Sequence, residues 1–262
     1  GRPGQFTDPW KYHEYTGEAL VRTGSGRTIR WHDPEEAEEI LERFPQNIDA
    51  GFGLGLHFHD SGQPVKAADL FEELGRRSLR DGNVVRKLVD TYLDKEAYEA
   101  ASVILDGMLK GAPESSDLHY LQGVTKAGLD QPEAAIAAFE KLSSDSRFFD
   151  NAVVHTAILH QERGEIDEGI AYLEGVIAEG RRKGEFFLYL GSFYEEKAAY
   201  AEAAETIRQG IQIEPDNSRL HFRLGVIYDK WGRKTDAIAS MKKAIHLNPD
   251  DANALNYLGY TY

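Results

Sequence analysis

A period of 34 residues governs this chain. Residues 48–81, 82–115, 116–149, 150–183, 184–217 and 218–251 align in rows without a gap, and 252–262 open a seventh. A fixed period in this range specifies a stack of like supersecondary units, because one unit cannot bury its apolar face alone. Six whole rows account for 204 of the 262 residues, so the period decides the fold class.

Certain positions in the row are nearly uniform. The eighth holds Gly55, Val89, Gly123, Ala157, Gly191, Gly225 and Gly259, and the twentieth holds Ala67, Ala101, Ala135, Gly169, Ala203 and Ala237. The twenty-fourth is large and apolar, with Phe71, Leu105, Phe139, Leu173, Ile207 and Met241. Within each half row apolar residues recur every three or four, as in Leu224 and Tyr228, so each row predicts two amphipathic helices. Gly62, Gly164 and Gly232 fall in the turn between them. The small residues let the paired helices approach, and the large ones fill the space between rows. Pro113, Pro215 and Pro249 stand at the thirty-second position, where the preceding residue leaves helical geometry and the second helix stops.

These positions resemble the tetratricopeptide repeat, most closely in the row His221…Leu224-Gly225…Tyr228…Ala237…Met241…Ala244…Pro249. Rows three and four depart from the pattern, with Gln122, Lys126, Thr156 and His160 where Leu and Tyr are usual, and Arg147 and Arg181 in place of Pro. The resemblance implies an all-α fold, a right-handed α-solenoid of stacked helix-turn-helix repeats. Residues 1–32 read as a short non-repeat arm or hairpin. Residues 33–47 read as a capping helix, 48–251 as six repeats and 252–262 as a seventh cut short. In the hairpin, two short strands flank Gly24-Ser25-Gly26. The cap opens on Asp33-Pro34-Glu35-Glu36, with a proline at the first helical position and acids complementing the dipole. Leu255, Leu258 and Tyr262 have no following helix to cover them, so further repeats or another domain are expected beyond residue 262.

Charge narrows the partners. Forty-four acidic against 30 basic residues give a net −14, which repels a phosphate backbone, so nucleic acid is not an expected partner. No apolar run approaches the ~18 residues a membrane span needs, so membrane insertion is not expected. With no cysteine the redox compartment cannot be read; a cytoplasmic location is favoured over a periplasmic or lipid-anchored one.

No catalytic, cofactor or metal site is expected. Gly51-Phe52-Gly53-Leu54-Gly55 lies inside a predicted helix rather than between a strand and a helix, so it is not a dinucleotide loop. His57 and His59 are two apart, and His155 and His160 five apart, neither being the spacing of a helical metal pair. Adjacent acids such as Glu195 and Glu196 do not converge on one substrate atom.

What remains is a binding surface. The resemblance implies that first helices line a concave groove through row positions 2, 5, 9, 12 and 13. Positions 5 and 9 give Phe52, Leu56, Tyr120, Val124, Val154, Ile158, Leu188, Phe222 and Val226, a mostly apolar floor interrupted by Arg86, Asp90 and Ser192. Positions 2, 12 and 13 add an acidic margin of Asp49, Asp60, Asp94, Asp117, Glu162, Glu185, Glu195, Glu196 and Asp229. Such a surface suits a protein or peptide with apolar anchors and basic flanks. The expected function is a bacterial scaffold or adaptor; a regulatory array of a larger enzyme and a self-assembling scaffold, joined through the uncovered C-terminal end, are the alternatives. The aromatic arm Phe6-Thr7-Asp8-Pro9-Trp10-Lys11-Tyr12-His13 is a candidate occupant of the groove.

Overall fold

A computed structural model describes residues 20–22, 28–30, 34–250 and 252–261. Two strands, β1 (Leu20–Arg22) and β2 (Thr28–Arg30), pair antiparallel with Val21 opposite Ile29. The glycine turn between them and the aromatic segment at 6–13 lie outside the described residues. Fourteen helices follow among the described residues, in two compact units that divide after Phe149.

The first unit holds α1 (Pro34–Arg43), α2 (Ile48–Asp60), α3 (Pro64–Ser78), α4 (Gly82–Leu88), α5 (Tyr98–Gly111), α6 (Ser116–Gly128) and α7 (Pro132–Phe139). The second holds α8 (Phe149–Glu162), α9 (Ile166–Ala178), α10 (Gly184–Glu196), α11 (Tyr200–Ile213), α12 (Ser218–Lys230), α13 (Lys234–Leu247) and α14 (Ala252–Thr261). In rows one, three, five and six the two helices of the row pack on each other. Ala37 and Ile40 of α1 are buried in the same core as Leu54 and Phe58 of α2, so α1 covers the first pair.

Each pair is closed by the same turn. The residue at the fifteenth row position is left-handed throughout: Gly62, Glu96, Asp130, Gly164, Ala198 and Gly232, with φ between 56° and 80°. The following N–H then donates to the carbonyl five residues back, as in Gln63 to Phe58 and Arg233 to Tyr228, both 2.8 Å. This is the six-to-one closure that satisfies carbonyls left over at a helix end. The next first helix starts on a side chain that accepts an orphan N–H. Asn47 accepts from Ala50, Asp81 from Asn83, Ser115 from Leu118 and Asn217 from Arg219. Such caps each contribute about 1 kcal/mol. The prolines punctuate as the sequence implies: α5 and α11 stop at Gly111 and Ile213, two residues short of Pro113 and Pro215.

The small and large positions meet inside each pair. A Cβ on Gly55 would stand 2.4 Å from the Phe71 ring, on Gly123 2.4 Å from the Phe139 ring, and on Gly191 2.6 Å from Ile207 Cδ1. Phe71, Ile207 and Met241 are fully buried or nearly so, each worth about 1.5–3 kcal/mol of transfer free energy. In the second row the eighth position is Val89, and the first helix changes there. Residues Val89–Leu93 form a π turn, with Asp94 N–H donating to the Val89 carbonyl at 3.0 Å. A branched side chain where glycine elsewhere touches its neighbour forces the backbone to widen, and a π turn is the local form of that widening. The third row is shortened instead. α7 ends at Phe139, and Ser143 and Ser146 hold the following turns through hydroxyls that accept from Asp145 and Phe148 N–H, a competition for backbone groups typical of serine.

Candidate functional site

The row positions assigned to a groove fall on the first helices, but they differ in depth. Phe52 and Leu56 on α2 are 1% and 3% exposed, and the Phe52 ring meets Tyr92 edge-on at 5.9 Å. Leu188 and Ser192 on α10 are 8% and 7% exposed. These four have almost no surface to offer a partner, because the bulk of neighbouring side chains, not the row position, sets depth. Here the assignment of Phe52, Leu56 and Leu188 to an open floor is corrected: they are core residues.

Elsewhere in the first unit, Arg86 and Asp90 are exposed on α4 and the π turn, while Tyr120 and Val124 on α6 are half-buried. Tyr120 is covered by its own chain: the Phe148 ring stacks on it at 4.5 Å and 1° between planes, and the Arg147 guanidinium lies 4.6 Å over Phe148. Arg147 also pairs with Asp117 at 2.6 Å.

In the second unit, Val154 and Ile158 on α8 and Phe222 and Val226 on α12 are half-buried. Phe222 and Val226 pack beside Met241, Ala254 and Tyr257. The acids divide in the same way. Asp60, Asp94, Glu162 and Glu196 are exposed; Asp49, Asp117, Glu185 and Asp229 are half-buried. Burial pushes the Asp49 carboxyl up, opposed by Lys87 at 3.1 Å. Glu185 faces Arg219 at 3.7 Å, and Glu196 accepts from Gln161 Nε2 at 2.5 Å. Tyr257, desolvated and hydrogen-bonded to Asp229, has its phenol pushed up to about 12. Glu195 does not belong to the margin. It is 9% exposed and held by Lys230 at 2.5 Å and Arg223 at 3.3 Å.

The histidines are structural where their bonds are shown. His119 and His221 occupy the fourth row position, and their Nε2–H groups donate to the carbonyls of Pro113 at 2.7 Å and Pro215 at 2.9 Å. Each ring thereby ties the end of one row to the start of the next. His160 Nδ1 meets Glu165 at 3.0 Å. Arg163 and then His160 hold the half-buried Glu165 carboxyl down to about 2. Among the described residues no three or more of His, Asp and Glu gather at one point, and no helix is long and apolar enough to cross a membrane.

Paired helices, a left-handed inter-helix turn and small-against-large packing define a helical repeat protein. Family models described as tetratricopeptide repeat match residues 156–218 and 218–251, so that stretch of the chain is built of tetratricopeptide repeats. It is similar to Protein IFIT1 homolog B of Homo sapiens, 25% identical over 142 residues, which are 50% of this chain and 29% of that protein. The chain therefore spans less than a third of the length of that relative. In fold it is similar to MamA, with a TM-score of 0.53 and 22% identity over 63% of this chain and 96% of that one. YrrB, a TPR protein with an unusual peptide-binding site, has a TM-score of 0.50 and 13% identity over 87% of this chain and 100% of its own.

One recess was not legible from row positions. It lies between the second helices α9 and α11 and is lined by Phe187, Tyr194, Glu202 and Glu205 among others. Its only trace in the sequence is a pair of acids one turn apart on α11.

Proposed function

We propose that the chain is a protein-binding scaffold without catalytic chemistry of its own, holding a partner peptide or helix on the first helices of its second unit. The carrying observation is that Phe222 and Val226 on α12 keep part of their apolar surface, with Asp229 one turn on, while Glu196 stays exposed on α10. Val154 and Ile158 on α8 repeat the same two row positions. A partner with apolar anchors and flanking Lys or Arg matches this surface in both shape class and charge. The peptide-binding site of YrrB, similar in fold, is in keeping with that reading.

The test is a displayed peptide library selected on the chain, followed by Phe222→Ser and Glu196→Lys variants whose melting is checked first. Basic, apolar-anchored sequences should be recovered, and each variant should weaken their binding by about tenfold, the scale of an interface anchor. Undiminished binding to both folded variants would remove the groove.

A further inference from the structure

Second helices pack in two different ways in this chain. In the first unit α3 and α5 close backbone to backbone. A Cβ on Gly75 would stand 2.0 Å from the Met108 carbonyl oxygen, and one on Gly111 2.0 Å from that of Glu72. In the second unit Gly175 of α9 faces open space, and a cleft of about 620 Å³ lies between α9 and α11. That volume falls within the ~300–1,000 Å³ of sites that take a small ligand or a few inserted side chains.

The cleft has an apolar floor and acidic rims. Half-buried Ile177 of α9 and Tyr194 of α10 form the floor over the buried Phe187 and Leu190, with Glu174 of α9 on one side and Glu202 and Glu205 of α11 on the other. Arg182 is the single cation among the described lining residues, and Arg208 reaches Glu205 at 3.6 Å from outside the cleft, so Glu174 and Glu202 carry the unbalanced charge. The Tyr194 hydroxyl donates to Glu174 at 2.5 Å. Burial, then Glu174 and Glu202, push its phenol up to about 12.

We propose that this cleft is a second docking site, distinct from the first-helix surface, and that it takes a basic amphipathic helix inserting apolar side chains between α9 and α11 with Lys or Arg facing Glu174, Glu202 and Glu205. The floor supplies the desolvated contact that carries binding energy. The carboxylates select the sign of the flanks and the rate of encounter. A neutral or acidic segment would leave three carboxylates facing apolar or like-charged groups, which disfavours it.

The probe is a labelled synthetic helix of Leu, Ala and Lys with Leu at i, i+3, i+4 and i+7, beside a twin carrying Glu for Lys, read by fluorescence anisotropy. Ala178 is exposed on the rim, so Ala178→Trp fills the cleft without entering the core, and thermal melting confirms that it folds. In a Phe222→Ser background, which removes the first-helix surface, the Lys helix should still bind, and should weaken about tenfold or more when Ala178→Trp is added and by a similar factor with Glu202→Gln/Glu205→Gln. Its affinity should fall with added salt. Three results in that background overturn the proposal: no binding of the Lys helix, equal binding of the Glu twin, or indifference to Ala178→Trp. A concentration-dependent dimer in sedimentation that Ala178→Trp abolishes would assign the cleft to a second copy and overturn it too.

Discussion

Glu214, at the end of α11, caps α10 from thirty residues away: its Oε1 accepts the Gly184 N–H at 2.7 Å, while Oε2 accepts from Asn217 Nδ2 at 2.7 Å. Lys183, directly before α10, makes no side-chain cap bond. The carboxylate therefore replaces a missing local cap and adds charge at a helix N-terminus, where it is favourable. It also packs so closely that a Cβ on Gly184 would stand 2.4 Å from its Oε2.

Two hydrogen bonds, from Asn217 first and then Gly184, hold this carboxyl below its ordinary 4.5. A depressed folded pKa gives stability that is present above the unfolded value and lost as pH falls. Glu214→Gln should lower stability by about 0.5–1.5 kcal/mol at neutral pH. The difference from the parent should shrink as pH drops below 4.5. Urea denaturation at several pH values reads both.

The left-handed position of the inter-helix turn invites a second experiment. Ala198 holds φ 56° there, where Gly232 holds 80°. A Cβ in that region costs roughly 1–2 kcal/mol, offset in part by the extra unfolded-state freedom of glycine. Ala198→Gly should stabilise by about 0.5–1 kcal/mol, and Asp130→Gly by less, because aspartate tolerates the conformation better. Denaturant midpoints at constant slope measure the gain.

The same turn shows what the sequence carries and what it conceals. Gly62, Gly164 and Gly232 mark the turn in the one-dimensional pattern, and Asp130 marks it weakly, but Glu96 and Ala198 adopt the same backbone with no signal in their residue type. Small positions facing large ones were legible because sterics act within one helix pair, a short stretch of chain. Depth was not. Phe52 and Phe222 share a row position, yet Phe52 is closed off against Tyr92 and Phe222 stays half-buried. Burial depends on which side chain the neighbouring row supplies. The stacking of Phe148 on Tyr120 and the cap from Glu214 were hidden for the same reason, each joining residues 28 or more apart.

Glycines at the eighth row position differ in what they touch, and that difference predicts unequal penalties. A Cβ on Gly123 meets the rigid Phe139 ring at 2.4 Å, whereas on Gly225 it meets flexible Met241 at 2.8 Å. Alanine gains up to about 1 kcal/mol of helix propensity over glycine at either site. Gly123→Ala must also displace a buried ring, an overpacking cost of roughly 1–3 kcal/mol, so it should lose about 1–2 kcal/mol net. Gly225→Ala should be close to neutral, since an unbranched thioether can move aside. Calorimetric melting of the two variants side by side decides this.

Glu195 offers the sharpest separation of structure from binding. Its carboxylate is buried, but its partners reach solvent, with 37% of the Arg223 side chain and 55% of that of Lys230 exposed. Removing the acid frees two cations that can turn into water, so Glu195→Leu should change stability by less than about 1 kcal/mol. Removing both cations instead strands a buried charge, and Arg223→Ala/Lys230→Ala should cost about 3 kcal/mol or more. A basic partner cannot reach a carboxylate already neutralised in this way, so Glu195→Leu should leave its affinity unchanged while Glu196→Lys, one residue on and exposed, weakens it. Equal losses from the two variants in a peptide-binding titration would return Glu195 to the binding surface.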